Sequence, residues 1–76
     1  MGQRNLALHM TYDKEADAAY VYLSQIRAGE VAKTVDMLSD VFFDLDANGR
    51  ILGIEILGAS QIIPSNVIDP DGCRTA

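Results

Sequence analysis

Val41-Phe42-Phe43-Asp44-Leu45-Asp46-Ala47-Asn48-Gly49-Arg50-Ile51-Leu52-Gly53-Ile54-Glu55-Ile56-Leu57 is the stretch that decides the fold. Val41, Phe43 and Leu45 alternate with Phe42, Asp44 and Asp46, and beyond the centre Leu52, Ile54 and Ile56 alternate with Gly53 and Glu55. A period of two is the signature of a half-buried strand. Asn48-Gly49 between two such runs is a favoured two-residue hairpin turn, in which both central residues take positive φ. A turn there pairs Leu45 with Leu52, Phe43 with Ile54 and Val41 with Ile56. Every partner on that face is apolar. A slip of one residue would bury Asp44 and Glu55, so the register is well specified.

Working outward, Leu6, Leu8, Met10 and Tyr12 alternate with Ala7, His9 and Thr11, and Ala19, Val21 and Leu23 alternate with Tyr20, Tyr22 and Ser24. The acidic stretch between them is rich in residues that close turns on their own backbone. Pairing Met10 with Ala19, Leu8 with Val21 and Leu6 with Leu23 across a loop of Asp13 to Ala16 makes a first hairpin. Ala16, Ala19, Tyr20 and Leu23 also stand at helical spacing behind Asp13, a possible N-cap. Aromatic and β-branched Tyr20-Val21-Tyr22 favours the strand. Glu30 to Asp36 suits a short edge strand on which Lys33 discourages unwanted pairing, and Met37 to Asp40 a turn. Gly58 to Ile63 suits one helical turn ended by Pro64. The expected fold is therefore α+β, mostly β: two hairpins plus an edge strand in a small antiparallel sheet, with a short C-terminal helix. One domain spans 1–76, with an ordered core over about 5–63 and a tail over 64–76 that holds Pro70 and Asp71-Gly72.

Composition limits the partners. The 76 residues are 49% hydrophobic and 22% charged, which excludes the low-hydrophobicity class of disordered chains. Eleven acidic against six basic residues leave a net charge of −5. Arg4, Lys14, Arg27, Lys33, Arg50 and Arg74 are scattered singly, so neither nucleic acid nor an anionic membrane surface is an expected partner. No apolar run reaches the roughly 18 residues of a span, and the start lacks the pattern of a secretory leader, so a cytoplasmic location is expected. The single Cys73 has no companion for a disulfide or zinc site and reads as an incidental exposed thiol. A chain this short buries only about 60% of its unfolded surface, and self-association is a common device for making up the deficit.

One metal-binding motif matches in full. Asp44, Asp46, Asn48 and Gly49 followed by Glu55 satisfy the calcium-loop pattern of the EF-hand, an oxygen cage with a bidentate glutamate at its twelfth position. That loop needs a helix on each side, whereas both flanks read as strands. In a hairpin, Glu55 stands opposite Phe42, its Cα roughly 13 Å along the strands from Asn48. The hairpin reading is preferred and no metal ligand or cofactor is assigned. Asp13, Glu15 and Asp17 read as turn-forming, solubilising acids rather than an acid–base pair. His9 is solitary. No phosphate-cradling glycine loop and no Ser/His/Asp grouping occurs, so no catalytic residue is assigned.

The face opposite the apolar one holds His9, Tyr20, Tyr22, Phe42, Ile51 and Leu57 beside Asp44, Asp46 and Glu55. A face so rich in aromatic residues is expected to be covered in part, by the C-terminal segment or by a second copy. Tyr20, Tyr22, Phe42 and Ile51 are the interface candidates.

Tyr12-Asp13-Lys14-Glu15-Ala16-Asp17-Ala18-Ala19-Tyr20-Val21-Tyr22-Leu23, and Asp44 through Ser60 with its Gly53-Ile54-Glu55-Ile56-Leu57 run, resemble the small prokaryotic domain-of-unknown-function family 2283. The similarity covers most of 6–63. Gly58 departs from it, standing where an acidic residue is common, and the tail from Ser65 lies outside it. The resemblance implies a small sheet domain from a bacterium or archaeon and brings no activity, cofactor or catalytic residue. The expected function is a non-enzymatic, homodimeric protein-interaction module with a possible further protein partner. The alternative is a small calcium-binding protein or enzyme using Asp44, Asp46 and Glu55.

Overall fold

The computed structural model describes residues 2–68. Five strands, β1 (His9–Asp13), β2 (Ala18–Tyr22), β3 (Lys33–Leu38), β4 (Val41–Leu45) and β5 (Ile51–Leu57), precede two single-turn helices, α1 (Ala59–Ile62) and α2 (Ser65–Ile68). The strands form one antiparallel sheet in the order β1-β2-β5-β4-β3. The first hairpin, β1–β2, joins the meander β3–β4–β5 through the pairing of β2 with β5. Tyr20-Val21-Tyr22 is strand, as its aromatic and β-branched content requires. No described helix is long and apolar enough to cross a membrane.

The second hairpin keeps its expected register over Val41↔Ile56 and Phe43↔Ile54, but Leu45 pairs with Ile51, not Leu52. The reason lies in the turn. Gly49 alone takes positive φ (81°), and Asn48 does not. The Gly49 N–H donates to the Asp46 carbonyl at 3.0 Å and the Asp46 N–H to the Arg50 carbonyl at 2.9 Å. That is a four-residue turn followed by a glycine bulge, with the register shift falling between Asp44 and Leu45. The first hairpin is displaced from expectation by two residues: Met10 pairs with Val21 and Tyr12 with Ala19. β1 runs on through Asp13, so the loop is Lys14 to Asp17. An even displacement leaves every side chain on its expected face.

The edge strand begins at Lys33 rather than Glu30 and runs into the stretch expected to turn, ending at Leu38 after a bulge past Asp36. The turn is Ser39-Asp40. The β2–β3 connection has to pass the ends of β5 and β4. It is tied at both ends, where the Leu23 N–H donates to the Leu52 carbonyl (2.9 Å) and the Ala32 N–H to the Leu45 carbonyl (2.8 Å). Helix α1 falls where the sequence places it. α2 was not expected, since Ser65–Ile68 read as tail. Cys73 and the Pro70-Asp71-Gly72 turn lie outside the described residues.

Cross-strand partners share a face, so the registers sort the sheet into two. One face carries Met10, Val21, Ile54, Phe43 and Val35 in a row across all five strands. Beside it run Tyr12, Ala19, Ile56, Val41 and Leu38. Among described apolar residues only Ala19, Leu52 and Ala59 are buried. In the two rows just named, no large side chain is buried.

Candidate functional site

The second face is where side chains from different strands meet. Thr11, Tyr20, Glu55, Phe42 and Asp36 stand in one row across the sheet, and His9, Tyr22, Gly53, Asp44 and Thr34 in the next. Gly53, lacking a side chain, lets the Tyr20 ring lie down over β5. A Cβ at Gly53 would collide with the Tyr20 ring and hydroxyl. Tyr20 thereby reaches past β5 and donates its hydroxyl proton to Asp44 Oδ2 at 2.5 Å, while Thr34 Oγ1 donates to Asp44 Oδ1 at 2.6 Å. One carboxylate on β4 so binds β2 and β3 at once. The Tyr22 ring tilts against Tyr20 with centroids 4.7 Å apart, and His9 against Tyr22 at 5.2 Å. The chain of contacts His9–Tyr22–Tyr20–Asp44–Thr34 crosses every strand.

Partial burial, reinforced by the hydrogen bond to Asp44 and by the negative charges of Asp44 and Glu55, pushes the Tyr20 phenol well above its ordinary value near 10. Such a phenol is a proton donor held in place. It is no base or nucleophile near neutral pH. The arrangement braces the sheet and fixes what this face presents.

A second constellation joins the sheet to α1. Asp17 closes the first hairpin in the left-handed region (φ 51°), which an aspartate tolerates better than most residues. Its Oδ1 accepts from the Tyr12 hydroxyl at 2.7 Å and from the Ser60 N–H at 2.9 Å, its Oδ2 accepts from Ser60 Oγ at 2.7 Å, and its carbonyl accepts from the Ala59 N–H at 2.9 Å. The N-cap residue of α1 is Gly58, which has no side chain to cap with. Asp17 does from 43 residues away what a capping side chain does locally, satisfying the Ser60 N–H. The Ser60 and Tyr12 hydroxyls hold the Asp17 carboxyl below its ordinary range.

Of the interface candidates, Tyr20, Tyr22 and Phe42 fall on the second face, whereas Ile51, 37% exposed, pairs with Leu45 at the register shift beside the turn and leaves that face. Tyr20 is committed to Asp44. Tyr22 and Phe42 are half-buried. The three acids of the calcium-loop pattern are not gathered: Asp44 is held by Tyr20 and Thr34, and Asp46 turns inward on its own loop to accept from the Asn48 and Arg50 N–H groups, both at 2.9 Å. Glu55 stands opposite Phe42, and strands flank the loop on both sides. No three His, Cys, Asp or Glu side chains converge among the described residues. Asp13 closes its turn on the Glu15 and Ala16 N–H groups. His9 packs on Tyr22 and borders an open groove with Leu8, Leu23 and Ile26. Sequence reasoning missed the role of Asp17, and also the Tyr20–Asp44 bond; glycine at 53 in an otherwise large-residue strand was the signal for the latter.

Comparison with known proteins adds family but no activity. The family described as "Protein of unknown function (DUF2283)" matches residues 9–60. An uncharacterised protein of Methanocaldococcus jannaschii is 39% identical over 57 residues, 75% of this chain and 46% of that protein. The chain thus spans about half the length of this curated relative. No solved structure matches.

Proposed function

We propose, from the premise that the chain belongs to the DUF2283 family of proteins of unknown function, that it is a non-enzymatic protein-interaction domain that pairs with a second copy of itself. We place the pairing on the apolar face of the sheet, not on the face that carries the interface candidates Tyr20, Tyr22 and Phe42. What supports this is the burial pattern: a five-strand sheet lines one face with Met10, Val21, Ile54, Phe43 and Val35, and none of them is buried. A sheet with one apolar face is stable when a second layer covers it. The single-turn helices α1 and α2 are too short to be that layer.

Charge favours a second copy over a charged partner. A chain carrying −5 repels its own kind wherever its acids face outward. The apolar face has no acid in its strand rows, and its one charge, Lys33, sits at the edge opposite Leu45. A two-fold pairing would put like on like only where charge is absent. Taking a half-covered Val, Ile or Phe to full burial contributes about 1 kcal/mol each, so five such residues per copy supply several kcal/mol.

Light scattering after size exclusion tests this directly. Untagged protein is expected at twice 8.3 kDa, and Val35→Lys, on the edge strand where a long side chain reaches water, is expected to give a folded monomer. A wild-type mass of 8.3 kDa at about 100 µM, some hundredfold above a micromolar Kd, would rule the reading out.

A further inference from the structure

With the apolar face turned toward a second copy, the other face is left outward, and its chemistry is of one kind. Asp36, Asp44 and Glu55 stand on it among Tyr20, Tyr22 and Phe42. Glu55 is exposed and lies directly between Tyr20 on β2 and Phe42 on β4; exposed Asp36 lies on the far side of Phe42. The described Lys and Arg residues are all elsewhere: Arg4 ahead of β1, Lys14 and Arg50 in hairpin turns, Arg27 in the β2–β3 connection and Lys33 on the apolar face. We infer that this face docks an arginine- and lysine-bearing segment of a partner protein.

Two features fit a guanidinium in particular. Carboxylates flanking an aromatic ring offer charge at the rim and a π face beneath, and arginine uses both at once where lysine offers only a point charge. The bracing also matters, because Tyr20 and Thr34 hold Asp44 in one place and the Tyr22 ring packs tilted against Tyr20. The platform is ordered before a partner arrives, which lowers the entropic cost of docking. Phosphate-bearing partners are repelled by the same carboxylates. The inference rests on self-pairing through the opposite, apolar face, which leaves this one free.

The test is a titration of the full chain, at 150 mM salt, with hexa-arginine and hexa-lysine peptides, followed by amide NMR. Shifts are expected to cluster at Thr11, Tyr22, Phe42 and Glu55, with hexa-arginine the tighter ligand. Two double variants remove equal charge: Asp36→Asn/Glu55→Gln on the face, and Glu15→Gln/Asp40→Asn in turns. The face pair is expected to weaken hexa-arginine binding about tenfold and the turn pair less than about twofold. Tyr22→Leu is expected to narrow the difference between arginine and lysine. Equal weakening by the two pairs would mean undirected attraction to an acidic protein and would overturn the inference, as would the absence of saturable binding. The solution mass of each variant, taken alongside, separates these outcomes from any change in self-pairing.

Discussion

Both hairpins are closed by an aspartate whose carboxyl is held below its ordinary range, yet the two carboxylates are spent in opposite ways. Asp46 accepts from the backbone N–H groups of Asn48 and Arg50, two and four residues on, and fixes only its own turn. Asp17 accepts from Tyr12 across its own hairpin and from Ser60, 43 residues on. It shapes a turn and fastens α1 to it. The same residue type, in the same kind of place, is local syntax in one hairpin and tertiary structure in the other.

The largest effect should follow from Asp17→Ala. That change strips the Ser60 N–H and hydroxyl and the Tyr12 hydroxyl of their acceptor and places a Cβ-only residue in the left-handed region. The thermal midpoint is expected to fall roughly two to three times as far as for Asp46→Ala. Amide exchange should quicken at Ser60 in α1 and at Ile63, its C-cap, while β4–β5 amides change no more than the global stability requires. If the two alanine variants fall equally and α1 stays protected, the contrast between the turns is mistaken.

Next comes Gly49→Ala. Gly49 holds φ 81° and nothing lies within 4 Å of where its Cβ would go. The cost is therefore conformational alone, about 1–2 kcal/mol by urea unfolding. A collision would show as a larger loss, and a repaired turn that no longer needs positive φ as none.

These two turns also mark what was legible in the chain. The Asp46–Arg50 turn was visible as Asn-Gly between alternating runs because everything that shapes it lies within five residues. Its bulge is not written in that pattern, because Asp46, by accepting from Asn48 and Arg50, favours a turn in which only Gly49 is left-handed. The first hairpin lies two residues from its expected register because Asp13, a turn former by type, is the last residue of β1. Faces survived that error, since an even slip preserves parity. The partnership of β2 with β5, the Asp17–Ser60 bonds and the reach of Tyr20 to Asp44 link residues 24 or more apart; no local pattern encodes them. The two faces could be read from alternation, whereas the exposure of the apolar one could not, because it depends on what the other described residues leave uncovered.

Acid should distinguish the turns less sharply than mutation does. The Asp17 carboxyl is lowered chiefly by Ser60 and then Tyr12, and that of Asp46 chiefly by the Arg50 and Asn48 N–H groups, each from an ordinary value of 3.8. A folded-state value below the unfolded one means the unfolded chain binds more protons in that window. Both contributions are thus complete above about pH 4 and fade as pH drops through the lowered folded values. At the other end, Tyr20 is raised above 10, so its contribution is intact below pH 10 and is lost as pH rises toward its folded value. Unfolding midpoints between pH 2 and 11 should trace a plateau with a fall at each end, and Tyr20→Phe should flatten the alkaline fall while leaving the acid one.

The smallest effect belongs to Asp46→Asn. Both side-chain hydrogen bonds at Asp46 run from backbone N–H groups to a single oxygen, Oδ1. An asparagine amide keeps one such oxygen, and its short polar side chain closes turns of this kind as readily as aspartate does. The substitution removes the charge and keeps the geometry. At pH 7 the midpoint is expected to move by less than the difference between Asp46 and Asp46→Ala, and the acid fall should become shallower because one titrating group has gone. Asp17 offers no such replacement in full: both of its oxygens accept, Oδ1 from Tyr12 and the Ser60 N–H and Oδ2 from the Ser60 hydroxyl. An amide there turns one acceptor into a donor and forces Ser60 Oγ to reverse its role. Asp17→Asn should therefore lose more than Asp46→Asn at pH 7, by thermal unfolding of the two side by side. Equal losses would mean that Ser60 adapts freely, and that charge rather than acceptor geometry holds α1 to the first hairpin.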